Sequence, residues 1–228
     1  MSVQVITVRR EVQAEARASA AEFRQRCTER GTLVVNVLSS PGAGKTSLLA
    51  ATARFWSAKE NAPRMAVLVG DLATDRDAQR LVSWTPVVQM TTGGACHLEL
   101  PLVERAMEAL GDFDGEFLFI ENVGNLVCPA SHDLGEHLRV LLLSTTEGDD
   151  KPAKYPKAFR TSQALVVSKL DLLPYVPFSV EAAAADAHEI QPDLAVLPVS
   201  SLNGQGIGEW CRYLETRRTT LLGQGNAE

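Results

Sequence analysis

The stretch "TLVVNVLSSPGAGKTSLLA" (residues 32–50) joins an apolar β-rich run, a glycine-bearing loop and a Lys-Thr pair that opens a helical pattern. Residues 32–38 read as a buried strand and 45–58 as the helix after it. Glycines in such a loop let backbone N–H groups close on phosphate oxygens, and the helix N-terminus adds the positive end of its dipole. Pro41, Gly42, Ala43, Gly44, Lys45, Thr46 and Ser47 are therefore expected to form a phosphate-binding loop. Lys45 would reach the β- and γ-phosphates, and the Thr46 hydroxyl would ligate Mg²⁺. The strict Gly-x-x-x-x-Gly-Lys-Ser/Thr pattern is missed once, with Ser39 at its first position.

Outward from this loop, apolar runs alternate with helical patterns. Strands are expected at 65–69, 86–90, 116–121, 139–145, 164–169 and 195–200. Helices are expected at 10–29, 75–83, 98–110, 178–190 and 206–218. The polar, proline-bearing segment 148–159 reads as a loop. Continuous apolar strands between helices indicate a mostly parallel sheet covered on both faces, a three-layer α/β/α P-loop NTPase. Ligands of such sheets bind beyond the C-terminal strand ends. The expected organisation is a helical appendage at 1–30, a nucleotide-binding domain with an integral metal site at 31–220, and a flexible tail at 221–228.

Composition narrows the function. A net charge of −6 over 228 residues argues against non-specific binding to nucleic acid or anionic membranes. No run approaches the roughly 20 apolar residues of a membrane span. The N-terminal stretch lacks the apolar run of a secretory signal. A cytoplasmic location is expected, with Cys27, Cys96, Cys128 and Cys211 as reduced thiols.

"SKLD" (168–171) ends a strand and is similar to the Asn-Lys-x-Asp stretch of P-loop GTPases. There Asp171 would take two hydrogen bonds from the guanine edge and Lys169 would lie along the base. Ser168 stands where Asn is usual, and its shorter side chain is not expected to bridge in the same way. In "PVSSLNGQGI" (198–207), Ser200 and Ser201 are the candidates whose backbone meets the guanine oxygen. GTP and GDP are thus the expected nucleotides.

Asp71 falls just past one expected strand and Glu121 ends another, beside the phosphate loop, where Mg²⁺ and its waters are held. "ENVG" (121–124) reads like the Asp-x-x-Gly switch of GTPases, with Glu for Asp. Asp71 would orient or deprotonate the attacking water, and intrinsic turnover is expected to be slow. Asp75 and Asp77 read equally as phosphate neighbours or as helix N-terminal residues.

Cys96 and His97 are adjacent in "TTGGACHLEL" (91–100), and Cys128 lies seven residues after Glu121. Two thiolates and one imidazole make a soft site suited to Ni²⁺ or Zn²⁺. Three ligands leave a coordination position for water, a second subunit or a recipient. Cys27 and Cys211 read as packed thiols. His132 and His137 flank the switch loop and take a bland reading, with an accessory metal role as the minor alternative, and His188 reads as a solvated helix face.

"SSPGAGKTSLL", "GDLATDRDAQRL", "TTGGACHLEL", "FLFIENVGNLVCPASHDLGE" and "LLPYVPFSVEAAAADAHEIQPD" together resemble the HypB family, the nickel-incorporation GTPases of NiFe-hydrogenase maturation. The resemblance runs from about residue 31 to 215. It implies a SIMIBI-class GTPase that dimerises with GTP. Nickel would pass toward the hydrogenase large-subunit precursor, with a HypA-like nickel chaperone as partner. It also implies that Cys96, His97 and Cys128 form the metal site, open to Zn²⁺ as well. Lys45, Thr46, Glu121, Lys169 and Asp171 fall on nucleotide and Mg²⁺ positions. Departures are the lack of an N-terminal Cys-x-x-Cys-Gly-Cys stretch and of a histidine-rich tail, and the Ser168 and Ser201 replacements. Two other readings are a urease-type nickel GTPase and a nucleotide-regulated Ni/Zn buffering module.

Overall fold

A computed structural model describes the backbone of residues 8–71 and 76–223, with side chains for 14–70 and 79–223. In chain order the elements begin with α1 (Val8–Glu29), β1 (Leu33–Ser39), α2 (Lys45–Ser57), β2 (Met65–Asp71), α3 (Arg76–Leu81), β3 (Val87–Thr91), α4 (Leu100–Ala109) and β4 (Phe117–Glu121). They continue with β5 (Leu138–Ser144), α5 (Lys151–Lys154), α6 (Pro156–Arg160), β6 (Ala164–Ser168), α7 (Val180–Ile190), β7 (Ala195–Pro198) and α8 (Ile207–Gly223).

The strands form one seven-stranded sheet in the order β3-β2-β4-β1-β5-β6-β7. Each described strand pair is parallel. Side chains alternate between faces along a strand. Val35 and Val37 pack with Leu48, Trp56, Trp210 and Leu214 of α2 and α8. Val34 turns to the other face and packs with Phe23 of α1 and Val103 of α4. Past β1, Leu141 and Val167 on that second face meet Phe159 of α6 and Ala183 of α7. Both faces are covered, which is why the strands read as mostly apolar runs rather than as alternating ones. Trp56 stacks on Phe117 with centroids 4.6 Å apart, and the Trp210 indole N–H is satisfied by Thr52 Oγ1 at 2.9 Å.

The expected three-layer architecture is what the chain builds, with one correction. Segment 148–159 is not an open loop but carries the short helices α5 and α6. Pro152 and Pro156 stand in their first turns, where no amide donor is needed. Ala158 and Phe159 anchor α6 in the core, each 1% exposed. Residues 221–223 continue α8, and the remainder of the anticipated tail lies outside the described residues. Among the described residues no helix is long and apolar enough to cross a membrane.

Candidate nucleotide and metal site

β1 ends at Ser39, and the chain turns through Gly42 (φ +73°) and Gly44 (φ +101°) before α2 begins at Lys45. These left-handed conformations suit glycine alone at low cost. The turn leaves loop amides and the α2 N-terminus together, as a phosphate requires. Lys45 Nζ folds back and donates to Ser39 Oγ at 3.0 Å. The residue that departs from the strict motif thus supplies a hydroxyl partner for the loop lysine. β4 runs beside β1 with Val37 opposite Glu121, which brings the two strand ends together. There Thr46 Oγ1 donates to Glu121 Oε1 at 2.8 Å, and both residues are buried. A hydroxyl and a carboxylate converging beside a phosphate loop fit the hard-oxygen preference of Mg²⁺. Asp71 closes β2, but its side chain, that of Asp77 and the whole of Asp75 lie outside the described residues.

The turn after Glu121 rests on the phosphate loop. A Cβ on Gly124 would sit 2.9 Å from Pro41 Cα, so only glycine allows this approach.

The base side of the site corrects one expectation. Ser168 does bridge: its Oγ donates to Ala43 O in the phosphate loop at 2.7 Å. β6 ends close enough to the loop for a one-carbon hydroxyl to span the gap. Lys169 stands at φ +62° and its Nζ donates to Gly42 O at 2.8 Å. Thr145 Oγ1 holds the Lys169 carbonyl at 2.9 Å. The buried Ser200 hydroxyl donates to Asp171 Oδ1 and fixes that carboxylate. A cleft of about 540 Å³ runs between Thr46, Ser47, Lys169, Asp171 and Ser201. Its size suits a small-molecule ligand. Arg54 and Trp84 also line it and were not anticipated. Arg54 was within reach of sequence reasoning, because Thr46, Ala50 and Arg54 share one face of α2 at four-residue spacing. A larger cavity of about 920 Å³ between α1 and α4 contains none of the anticipated site residues.

Cys96 and His97 lie between β3 and α4, and Cys128 follows β4. β2 pairs with both β3 and β4, so the two loops leave the same end of the sheet. The ligand atoms of Cys96, His97 and Cys128 fall within 4.8 Å of one another. Asn125 Nδ2 ties the loops by donating to Cys96 O at 3.3 Å. Hydrogen bonding with the Cys128 thiol, then desolvation, holds the Cys96 thiol above its ordinary range. Desolvation and the nearby His132 lower His97, with Glu99 opposing, which favours the neutral imidazole that binds metals. Two soft sulfurs and one imidazole nitrogen are a donor set for nickel or zinc.

The other histidines and cysteines sort clearly. His132 stacks on His97 with centroids 3.9 Å apart. His137 is not available to the cluster, because its Nδ1 accepts from Val34 N at 3.0 Å and its Nε2 meets Thr28 Oγ1 at 2.8 Å. The exposed His188 holds Leu194 O at 2.8 Å through its Nε2. Cys27 and Cys211 are buried, and burial pushes their thiols up to about 11 and about 12.

A buried polar chain links the two halves. Asn122, next to Glu121, donates to Asn36 Oδ1 at 3.2 Å, and Asn36 donates to Glu136 Oε1 at 3.3 Å. Arg139 pairs with Glu136 through Nε and Nη2; its Nη1 also donates to Ala130 O at 3.3 Å and its Nη2 to His132 O at 2.7 Å. His132 Nδ1 in turn meets Cys128 O at 2.9 Å.

Residues 33–198 match the family model described as "CobW/HypB/UreG, nucleotide-binding domain". The chain is 47% identical over 204 residues to the hydrogenase maturation factor HypB of Azotobacter vinelandii, a match covering 89% of this chain and 66% of that protein. It thus spans just under two thirds of that relative's length. The fold matches the crystal structure of HypB from Helicobacter pylori in complex with nickel at a TM-score of 0.84 and 38% identity, covering 91% of this chain and 97% of that one. For HypB from Archaeoglobus fulgidus the TM-score is 0.81 and the identity 33%, covering 90% and 99%.

Proposed function

This chain belongs to the HypB branch of the CobW/HypB/UreG family, and from that membership we propose that it is a GTP-hydrolysing nickel-delivery protein of NiFe-hydrogenase maturation. GTP lays its phosphates on the backbone of residues 41–47, under Lys45. Its guanine edge meets Asp171, with Lys169 along the base and the Ser200–Ser201 backbone at the guanine oxygen. Thr46, Glu121 and Asp71 hold Mg²⁺, which supplies positive charge to the phosphates. Asp71 orients the attacking water. Nickel is the cargo, taken by Cys96, His97 and Cys128, and zinc competes for the same atoms.

The observation that carries this reading is the joining of two sites by one short segment. Glu121 bonds Thr46, Gly124 rests on Pro41, and Cys128 lies within the metal-ligand cluster. A switch that moves with the γ-phosphate therefore moves a nickel ligand. GTP favours a two-fold dimer, and hydrolysis releases it. A HypA-like chaperone supplies or receives nickel on the way to the large-subunit precursor, in the cytoplasm.

The test adds Ni²⁺ to metal-free protein and follows thiolate-to-nickel charge-transfer absorption, with GTP and ATP competition alongside. One equivalent of nickel should produce the band, and Cys96→Ala or Cys128→Ala should abolish it. GTP should displace a bound guanine nucleotide far better than ATP. An unchanged band in both variants, or equal displacement by ATP, would defeat the corresponding assignment.

A further inference from the structure

His132 touches both halves of the metal-ligand cluster. Its ring lies flat on His97, with centroids 3.9 Å apart and planes 17° from parallel. Its Nδ1 stands 2.9 Å from Cys128 O. A carbonyl only accepts, so Nδ1 is the donor. The backbone of His132 is anchored as well, because Arg139 donates to its carbonyl at 2.7 Å. Arg139 is buried and paired with Glu136, so that anchor is rigid. The ring is thus held at its edge and at its backbone while its face covers His97.

A metal bonds an imidazole nitrogen in the plane of the ring. The orientation of the His97 plane therefore decides where its lone pair aims, and groups around a ligand that fix its orientation tune metal affinity. Stacked rings present their lone pairs in parallel planes. His132 cannot join His97 on one ion without leaving the stack.

We propose that His132 is a positioning residue for the Cys96, His97 and Cys128 cluster. It clamps the His97 imidazole against the loop that carries Cys128 and preorganises the three ligands for a soft divalent cation, without itself binding the ion. This role rests on reading those three residues as the nickel site.

The experiment titrates the metal-free protein with Ni²⁺ against a competing chelator and records the charge-transfer spectrum at saturation. The wild type is compared with His132→Ala, His132→Phe and Cys96→Ala, with guanine-nucleotide binding as the check on folding. His132→Ala should weaken nickel about tenfold, at the low end of losses for groups that orient metal ligands, with the band energies unchanged. His132→Phe keeps a flat ring without ring nitrogens and should recover most of the affinity. Wild-type affinity in His132→Ala overturns the role. So does a His132→Phe variant no tighter than His132→Ala; a shifted band would then make His132 a ligand, and an unshifted one would discard the stack. Cys96→Ala with undiminished nickel binding would instead remove the nickel-site reading, and this role with it.

Discussion

Replacing Arg139 by methionine removes the cation of a buried ion pair while nearly keeping its volume. Arg139 and Glu136 expose only 10% and 6% of their side chains. Glu136 retains Asn36 Nδ2 at 3.3 Å and Leu134 N at 2.8 Å, but it loses the Arg139 guanidinium. Removing one partner of a buried pair costs about 3–5 kcal/mol, because the remaining charge stays desolvated. For a domain of this size that corresponds to a fall of roughly 6–20 °C in Tm. Two carbonyls of the loop behind Cys128, at Ala130 and His132, also lose their donor. Nickel affinity should therefore fall in the fraction that remains folded. The assay is urea unfolding at pH 7 of Arg139→Met and of Arg139→Met/Glu136→Gln. The second change removes the unpaired charge and keeps one neutral acceptor, enough for either Asn36 Nδ2 or Leu134 N, and should recover part of the loss. A single-variant loss under about 1 kcal/mol, the worth of one ordinary hydrogen bond, would refute the reasoning. So would a double variant no more stable than the single.

Gly124→Ala places a methyl against the Pro41 backbone and should weaken GTP by about tenfold or more, read with a fluorescent GTP analogue; unchanged affinity would mean the turn does not rest on the loop in the bound state. Ser168→Ala removes the tie to Ala43 O, worth about 0.5–1.5 kcal/mol, and should cost a few-fold in GTP affinity. A larger effect than that would assign Ser168 a direct contact with the base. His137 sits at about 4 against an ordinary 6.5, through desolvation first and the nearby Arg24 second. The unfolded chain takes a proton on this ring as pH falls below 6.5, and the folded chain resists until about 4. Its contribution to stability is therefore intact above pH 6.5 and lost progressively down to about pH 4. Urea unfolding across that range should show a steeper fall for wild type than for His137→Gln, and parallel curves would contradict the assignment.

The seven strands were legible because both sheet faces are covered, so the strands are mostly apolar runs, broken inside only at Asn36, Gln89, Gly70 and Arg139. The phosphate loop was legible because its chemistry depends on consecutive residues. What escaped depended on distance in space. Segment 148–159 reads as polar loop, yet Phe159 finds a core under α7, and Lys151 and Glu147 pair at 3.2 Å across one turn. Ser168 was judged by the length of its side chain, whereas the gap it spans was set by where β6 ends. His97 and His132 meet through the packing of two loops that no local spacing records. The bland reading of His137 stands, but what holds it was not legible, since its partners Thr28 and Val34 lie over a hundred positions upstream. Asp71 was read as lying just past a strand at 65–69, whereas β2 runs two residues further and ends on it.

The central claim is that the nucleotide state sets the nickel affinity. The most direct measurement is a Ni²⁺ titration of the metal-free protein with GDP and again with a non-hydrolysable GTP analogue, paired with titration of each nucleotide with and without nickel. The account predicts different nickel affinities in the two states, and a matching factor in the nucleotide titrations, because coupling between two sites is reciprocal. Equal nickel affinities with GDP and the GTP analogue, in a protein whose cluster binds nickel, would contradict it and leave Cys96, His97 and Cys128 as a static site beside an independent GTPase.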